Sequence, residues 1–207
     1  MKDTDIDLII FDCDGVLFDS KEANFHYYNH ILSIFNRKDM DQDELDYVHS
    51  HTATESIKFL FRDQPSIIDK VLDRAKTIDY SEFLSYMSIE DGWKDLIEGV
   101  RPPIKTAIST NRSNTMPELI KIFNLLDWFD VIVSALDVKN PKPNPEGVFK
   151  ILDELKIPPG KAVYIGDSKV DEIIANNSDI RFIAYKNSDL NASLHIDNFY
   201  ELIDMLS

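Results

Sequence analysis

The sequence predicts an α/β protein, in which a doubly wound parallel sheet carries a block of helices inserted near its N-terminal end. Two patterns support this fold class. After residue 90, short apolar segments alternate with segments of helical periodicity, an order typical of a parallel sheet with helices on both faces. Between residues 20 and 90 the periodicity is helical throughout, and no strand is predicted. We therefore assign residues 1–18 and 88–207 to the core and residues 19–87 to the insertion.

The first predicted strand is the apolar run LIIF at residues 8–11, after which the chain enters the helical block. Within that block apolar residues recur every three or four positions, as on one face of a helix. A helix that starts near Trp93 ends before Pro102. The elements that follow alternate, with strands predicted at 104–109, 129–134, 161–166 and 181–185, and helices at 115–126, 144–155, 169–177 and 199–206.

Composition restricts the function classes. The 207 residues carry a formal net charge of −15, and binding to nucleic acid or to an anionic membrane requires a basic patch, so both are disfavoured. Cys13 is the single cysteine, which fits a reducing compartment. The N-terminal stretch does not resemble a signal peptide, and no apolar run approaches the ~18 residues of a membrane span. We expect a cytoplasmic protein, either a monomer or a homodimer.

Polar side chains follow four of the predicted strands at the point where each strand ends. In an open parallel sheet the ligand binds beyond the carboxyl ends of the strands, so we expect these side chains to meet at one edge. They are Asp12 and Asp14 after the first strand, Thr110 and Asn111 after the second, Lys142 in the loop after the third, and Asp167 and Asp171 after the fourth.

Several carboxylates at one edge need a cation. Two unit charges about 4 Å apart repel by about 4 kcal/mol at an effective dielectric constant near 20. A divalent cation with oxygen ligands offsets this repulsion, and Mg²⁺ favours one or two carboxylates together with water and phosphate oxygens. Lys142 adds a positive charge that suits a phosphate. The pattern therefore predicts Mg²⁺ as the cofactor and a phosphoryl group on the substrate.

These motifs resemble, in the same order, those of the haloacid dehalogenase-like hydrolase superfamily. The sequence DCDGV at 12–16 matches the first motif, Thr110 the second, Lys142 the third, and GDSKVD at 166–171 the fourth. The resemblance covers nearly the whole chain and is closest to the phosphoglycolate phosphatase-like branch. It implies a Rossmann-like core with an inserted α-helical cap domain, and a Mg²⁺-dependent phosphatase that hydrolyses a small phosphorylated metabolite.

The resemblance also implies roles for the charged residues. Asp12 would attack phosphorus and form an aspartyl-phosphate, and Asp14 would protonate the leaving oxygen and then activate the hydrolytic water. Mg²⁺ would be held by Asp12, by the backbone carbonyl of Asp14, and by Asp167. Lys142 would neutralise charge on the nucleophile and the phosphate. Asp171 would orient Lys142 or a water on the metal.

The resemblance assigns the uncharged residues to substrate contacts. Thr110, as part of the catalytic set, and Asn111 would contact the phosphoryl oxygens. Gly15 would permit a turn and a close approach of the backbone. In the cap, the stretch 49–56 would come near the active site, with His51 and Thr52 as candidate substrate contacts.

Two other functions stay open at this stage. A sugar-phosphate mutase-type phosphotransferase is disfavoured, because such members of the family usually carry Arg and Gly in the stretch that corresponds to 49–56, and neither is present here. A non-enzymatic phospho-acceptor or binding protein that retains the site is the other alternative, although phospho-acceptor domains lack an insertion of this size. Asp14 favours phosphoryl transfer over dehalogenation, because a halide leaving group needs no proton.

Overall fold

The structure, a computed structural model, describes residues 6–206, in which strands and helices alternate over most of the chain from Trp93 onwards, whereas the helices between residues 21 and 75 follow one another without a strand. The strands are β1 (Leu8–Phe11), β2 (Phe18–Asp19), β3 (Ser88–Ile89), β4 (Lys105–Ser109), β5 (Val131–Val133), β6 (Ala162–Gly166), β7 (Arg181–Tyr185) and β8 (Leu194–Ile196). The helices are α1 (Lys21–Ile34), α2 (Gln42–Ser50), α3 (Ala53–Leu60), α4 (Ile68–Ala75), α5 (Trp93–Val100), α6 (Met116–Phe123), α7 (Glu146–Leu155), α8 (Lys169–Asn177) and α9 (Phe199–Leu206).

Six of the strands form one parallel sheet in the spatial order β5-β4-β1-β6-β7-β8. Strand β1 lies in the interior, where Phe11 pairs with Ile108 of β4 on one side and with Ile165 of β6 on the other. The strand order reverses at β1, and this is the position where an open α/β sheet forms its ligand crevice. The predicted fold class is confirmed.

Burial on both faces explains why β1 is apolar at every position. Ile9 and Phe11 belong to the apolar cluster on one face of the sheet, whereas Leu8 and Ile10 belong to the cluster on the other face. Successive side chains of a strand point to opposite faces, so a strand covered on both sides has no position for a polar residue. The first polar side chain after the start of β1 is therefore that of Asp12, at the edge of the sheet.

The helical insertion contributes to the same core as the sheet. The cluster that contains Phe11 continues through Ile31 of α1 and Phe61, which follows α3, and it includes Trp93 of α5. Two helices of the insertion start at capping boxes. In the first, the side chain of the N-cap residue Asp41 and that of Glu44, in the first turn of α2, each bond to the backbone N–H of the other. Thr52 and Glu55 form the second box before α3. The division into a core and a separate cap at residues 19 and 87 stays a prediction.

Three short strands were not expected from the sequence. β2 and β3 form a two-stranded antiparallel ribbon where the chain leaves and re-enters the sheet core, and β8 adds an edge strand beside β7. The ribbon strands are two residues long, which is too short to show any periodicity. β8 carries an exposed His195 in its centre, so its sequence lacks the apolar character of the interior strands.

None of the described helices is long and apolar enough to cross a membrane.

Replacing Trp93 by alanine tests the packing beneath the sheet. Trp93 is fully buried and its ring contacts those of Trp128, at 5.6 Å between centroids, and Phe129, at 5.7 Å. The cavity left by Trp93→Ala should lower the free energy of unfolding by about 3–5 kcal/mol, measured by urea denaturation. Leu126→Ala is the control, because 70% of Leu126 is exposed and its loss should change stability by less than about 0.5 kcal/mol. Equal effects of the two changes would contradict this assignment of the core.

Candidate active site

The strand-end residues meet in one cavity at the carboxyl edge of the sheet. One side of the cavity is formed by the loops after β1, β4 and β6 and by the loop before α7, and the other side by residues of α1 and α2. The predicted strand-end side chains all line it: Asp12, Asp14, Thr110, Asn111, Lys142, Asp167 and Asp171.

Lys142 connects two of the carboxylates. Its Nζ lies 2.8 Å from Oδ1 of Asp12 and 2.8 Å from Oδ1 of Asp171. Asp171 is completely buried, and it also accepts hydrogen bonds from the hydroxyl of Tyr164 at 3.2 Å and from Oγ of Ser168 at 2.6 Å. A buried charge is tolerated only when it is paired and hydrogen-bonded in this way. The contact supports the predicted role of Asp171 in orienting Lys142.

The remaining negative charge in the cluster is not balanced by Lys142. Burial, together with the nearby Asp171 carboxylate, raises the pKa of Asp12 from 3.8 to about 7, although Lys142 opposes the shift. Burial and the charges of Asp171 and Asp12 raise the pKa of Asp167 well above its usual range. In the same field the ammonium form of Lys142 is stabilised, and its pKa lies well above the usual value despite burial. The cluster therefore favours a further cation.

A divalent cation fits this cluster. One carboxylate oxygen from each of Asp12, Asp167 and Asp171 lies within 4.8 Å of the others. Carboxylate oxygens are among the ligands that Mg²⁺ prefers, and burial together with mutual repulsion raises the pKa values of two of these carboxyls, Asp12 and Asp167. The sequence predicted Asp12, Asp167 and the backbone carbonyl of Asp14 as metal ligands, and the carboxylate cluster of the structure also includes Asp171. The carboxylate of Asp14 does not belong to this cluster.

Asp14 is instead held by Arg112, a residue that the sequence analysis did not select. The Arg112 guanidinium donates from Nε to Oδ2 of Asp14 at 3.1 Å and from Nη2 to Oδ1, and Ser20 Oγ also donates to Oδ1. Burial acts to raise the pKa of Asp14, but Arg112 outweighs it, so that the pKa lies below its ordinary value. Because Ser20 is engaged with Asp14, it makes no side-chain cap at the start of α1.

Only the position of Arg112, two residues after Thr110, gave a signal in the sequence. A basic residue in a loop is usually solvated, whereas here the side chain of Arg112 is 4% exposed. Its burial depends on the ion pair with Asp14, which joins residues 98 positions apart in the chain. Such a pairing cannot be deduced from one sequence.

Gly15 allows two loops to come together beside the carboxylate cluster. Its φ of +78° lies in the left-handed region, and a Cβ atom at this position would overlap the carboxylate of Asp167. The backbone N–H of Gly15 donates to the carbonyl of Phe18 at 2.8 Å, which closes the turn after β1. Gly15 therefore fills the turn and close-approach role that the sequence predicted for it.

The family model of the haloacid dehalogenase-like hydrolases matches residues 9–185, which is well over half of the chain.

The chain is a haloacid dehalogenase-like hydrolase.

Similar proteins cover most of the chain. A crystal structure of a hydrolase of this superfamily, subfamily IA, variant 1, from Geobacter sulfurreducens superposes with a TM-score of 0.78 at 32% identity and covers 98% of this chain and 97% of its own. A phosphorylated carbohydrates phosphatase of Thermotoga maritima is 28% identical over 171 residues, which are 79% of this chain and 77% of the relative. A pyrophosphatase PpaX of Bacillus pumilus is 25% identical over 176 residues, 83% and 79% of the two chains. The predicted family is confirmed.

In this haloacid dehalogenase-like hydrolase, Thr110 and Asn111 occupy the cavity with different contacts. Oγ1 of Thr110 accepts a hydrogen bond from the backbone N–H of Arg112 at 3.0 Å. Nδ2 of Asn111 donates to the carbonyls of Ser50, at 3.3 Å, and Lys142, at 3.2 Å, and so connects α2 to the Lys142 loop. Oδ1 of Asn111 is buried without a hydrogen-bond partner among the described residues. The predicted contact of Asn111 with phosphoryl oxygens would have to compete with these two carbonyls.

The two cap candidates differ in position. His51 lines the cavity, where its ring stacks on Tyr47 at 3.8 Å between centroids and its Nδ1 lies 2.8 Å from the Tyr47 carbonyl. Thr52 is not among the described residues that line the cavity, and its substrate contact stays a prediction. Its hydroxyl forms the capping box with Glu55 at the start of α3, which is a structural role.

Gly15→Ala should destabilise the protein. An alanine in the left-handed region is strained, and its Cβ would displace the Asp167 carboxylate, so the free energy of unfolding should fall by more than about 1 kcal/mol. Gly99→Ala in α5 is a matched control, since a Cβ there meets no other atom within 4 Å and alanine favours a helix by up to about 1 kcal/mol. Urea denaturation measures both. A neutral Gly15→Ala variant would show that this turn is not constrained.

The metal-free protein should lose stability as the pH rises from about 4 to about 7. Asp12 has a folded-state pKa raised to about 7, so over this range the folded protein holds a proton that the unfolded chain has released. His49, whose pKa is lowered by burial, changes stability in the opposite direction as the pH rises towards 6.5. Urea denaturation in EDTA of the wild type and Asp12→Asn isolates the Asp12 contribution. A difference between them that does not vary with pH would contradict the raised pKa.

Proposed function

We propose that this protein is a Mg²⁺-dependent phosphatase that hydrolyses a small phosphomonoester through an aspartyl-phosphate on Asp12. The observation that carries the proposal is the position of the Asp12 carboxylate, which lies at the end of the central strand and 2.8 Å from Lys142 Nζ. Family membership and relatives named as phosphatases support the reaction class. The residues Asp12, Asp14, Thr110 and Lys142 would carry the chemistry.

In the first step a carboxylate oxygen of Asp12 attacks phosphorus, and the bond from phosphorus to the leaving oxygen breaks. Lys142 holds Asp12 in position and offsets the negative charge that accumulates between nucleophile and phosphate. Asp14 donates a proton to the leaving oxygen, a contribution of roughly 10²–10⁴-fold in general acid catalysis. The products of this step are an alcohol and an acyl-phosphate on Asp12.

In the second step a water attacks phosphorus, and the bond between phosphorus and Asp12 breaks. Asp14, now ionised, accepts the proton of that water; phosphate is released, Asp12 is again a carboxylate and Asp14 again carries its proton. The ion pair of Asp14 with Arg112 suits this second step, because it stabilises the ionised form that acts as a base. The same pair opposes the first step, in which Asp14 must carry a proton.

Mg²⁺ would be held by Asp12, by the backbone carbonyl of Asp14 and by Asp167, and Asp171 belongs to the same carboxylate cluster. When bound, it would neutralise phosphoryl oxygens as a Lewis acid. Helices α1 and α2 cover the cavity, and they would exclude water from the first step and select the substrate. The absence of a membrane-spanning helix among the described residues is compatible with a cytoplasmic site of action.

The name of the Bacillus pumilus relative adds pyrophosphate as a second candidate substrate. The two other functions considered from the sequence, a sugar-phosphate mutase and a phospho-acceptor protein, share the aspartyl-phosphate but differ in its fate. In a mutase the phosphoryl group passes to a sugar hydroxyl, and in a phospho-acceptor it persists. The fate of the phosphoryl group, which passes to water, passes to a sugar hydroxyl or remains on the protein, therefore distinguishes all three.

Phosphate release from an aryl phosphate, a panel of small phosphomonoesters and pyrophosphate tests the proposal. Hydrolysis should require Mg²⁺, stop in EDTA, and fall by roughly 10³-fold or more in Asp12→Asn, since loss of a catalytic nucleophile costs several orders of magnitude. Asp153→Asn, an exposed change on α7, is the control and should leave the rate unchanged.

Activity that survives in Asp12→Asn would disprove the assignment of the nucleophile. A long-lived phosphoprotein with no turnover of any compound would favour the phospho-acceptor function. Isomerisation of a sugar phosphate without net phosphate release would favour the mutase.

A further inference from the structure

Arg112 lies at the wall of the active-site cavity and not in the interior of the core. It follows β4 by three residues and lines the cavity beside Asp12, Asp14 and Thr110. Its guanidinium is buried, and besides the two bonds to Asp14 it donates from Nη1 to Oγ1 of Thr115 at 3.2 Å. An arginine at this position is therefore within reach of any molecule that fills the cavity.

The ion pair occupies both oxygens of Asp14. One accepts from Arg112 Nε, and the other accepts from Arg112 Nη2 and from Ser20. In this arrangement the fork of the guanidinium matches a planar carboxylate, the same geometry that it offers to a carboxylate or phosphate of a ligand. For Asp14 to reach the leaving oxygen of a substrate, at least one of these contacts must be released. An oxyanion on the substrate is the group best suited to replace Asp14 on Arg112.

Arg112 is a cation of the cavity whose partner, Asp14, has to move if Asp14 is to reach the leaving oxygen. Among the described residues that line the cavity there is one lysine, Lys142, and one arginine, Arg112. Lys142 forms ion pairs with Asp12 and Asp171. On the side of α1 and α2 the lining includes Asn24 and His49, which are joined by a 3.1 Å hydrogen bond. An anionic group beyond the phosphoryl position would therefore find its charge partner in Arg112.

We infer that Arg112 is a specificity-determining residue: it binds a second oxyanion, a carboxylate or a phosphate, carried by the leaving group of the substrate, and this oxyanion displaces Asp14 from the guanidinium. The inference rests on the proposed phosphatase function. It assigns the substrate to phosphomonoesters whose leaving group is itself an anion, with the Asp14 carboxylate occupying the oxyanion position until substrate binds.

Three compounds with the same three-carbon chain test the inference and distinguish the two kinds of oxyanion. They are 3-phosphonooxypropanoate, propane-1,3-diyl bisphosphate and 3-hydroxypropyl phosphate, which end in a carboxylate, a phosphate and a neutral hydroxyl. The wild type should prefer at least one of the anionic compounds over the alcohol by about tenfold or more in kcat/KM. The kcat/KM of the bisphosphate is first divided by two, because either of its two phosphates can react. Equal kcat/KM values for all three compounds would overturn the inference.

Variants at Arg112 separate recognition from a structural role. Arg112→Gln should abolish the preference, so that the three compounds react with similar kcat/KM, and most of the loss for the anionic compounds should appear in KM. Arg112→Lys keeps a charge without the fork and should retain part of the preference. If Arg112→Gln slows all three compounds by the same factor, Arg112 acts only on the structure of the site and the inference is wrong.

A binding experiment without turnover tests the competition between Asp14 and the ligand. In the Asp12→Asn background, calorimetry is used to compare proteins with Asp14 and with Asp14→Asn for the same three compounds. Loss of the Asp14 charge should improve binding of all three phosphates, but the gain should be at least several-fold larger for the carboxylate and the bisphosphate than for the alcohol. An equal gain for all three would show that no oxyanion competes for Arg112.

The outcomes also separate this inference from the proposed function. Hydrolysis of an aryl phosphate by the wild type without any preference for an anionic leaving group leaves the phosphatase intact and overturns only the role of Arg112. Absence of hydrolysis of every phosphate overturns the proposed function, and the calorimetric comparison then still decides whether Arg112 binds an oxyanion. Circular dichroism and thermal unfolding establish that each variant is folded.

Discussion

The active-site cavity of this protein brings four carboxylates to one edge of the sheet, and the rest of the site is organised around the repulsion between them. Lys142 lies between Asp12 and Asp171, and Arg112 is paired with Asp14. These two cations leave negative charge in excess when all four acids are ionised. Burial and, after it, this repulsion raise the pKa values of Asp12 and Asp167. The divalent cation that we propose would offset the excess charge and the charge of a phosphoryl group.

Holding such a cluster requires a rigid support. Strand β1 supplies it, because its four residues are fully buried and are hydrogen-bonded on both sides to β4 and β6. The apolar clusters on the two faces of the sheet offset the cost of burying charge at its edge. Gly15 and Gly166 then allow the loops to approach closely, since a Cβ atom at either position would overlap the carboxylate of Asp167 or the side chain of Asp171. The site is therefore a property of the sheet edge and not of any single loop.

The helical insertion is tied to this edge through polar contacts as well as through the apolar core. Asn111 bonds to the carbonyl of Ser50 at the end of α2, and Tyr80 lies beneath the Arg112 guanidinium at 5.2 Å. Both contacts involve the loop that follows β4, so this loop is attached to the insertion at two points. The pair formed by Asp14 and Arg112 lies at the same junction, so the proposed acid–base chemistry and the proposed substrate selection would share one ion pair.

The parallel α/β fold, the helical insertion and the family can be predicted from the sequence alone, because strand-helix alternation and motifs at strand ends are local patterns. The sequence also located the residues of the carboxylate cluster, since parallel strands must bring their carboxyl ends to one edge. The pairing of each cation with its acid is visible only in the folded protein: the sequence analysis did not select Arg112, and its burial against Asp14 depends on a contact between distant segments. The same limit applies to Thr52, a polar residue near the cavity whose hydroxyl caps α3, and to β8, whose pairing with β7 is needed to define it. Periodicity and motif order depend on residues that are near one another in the sequence. The partners of a buried polar group depend on packing between segments that are far apart in the sequence.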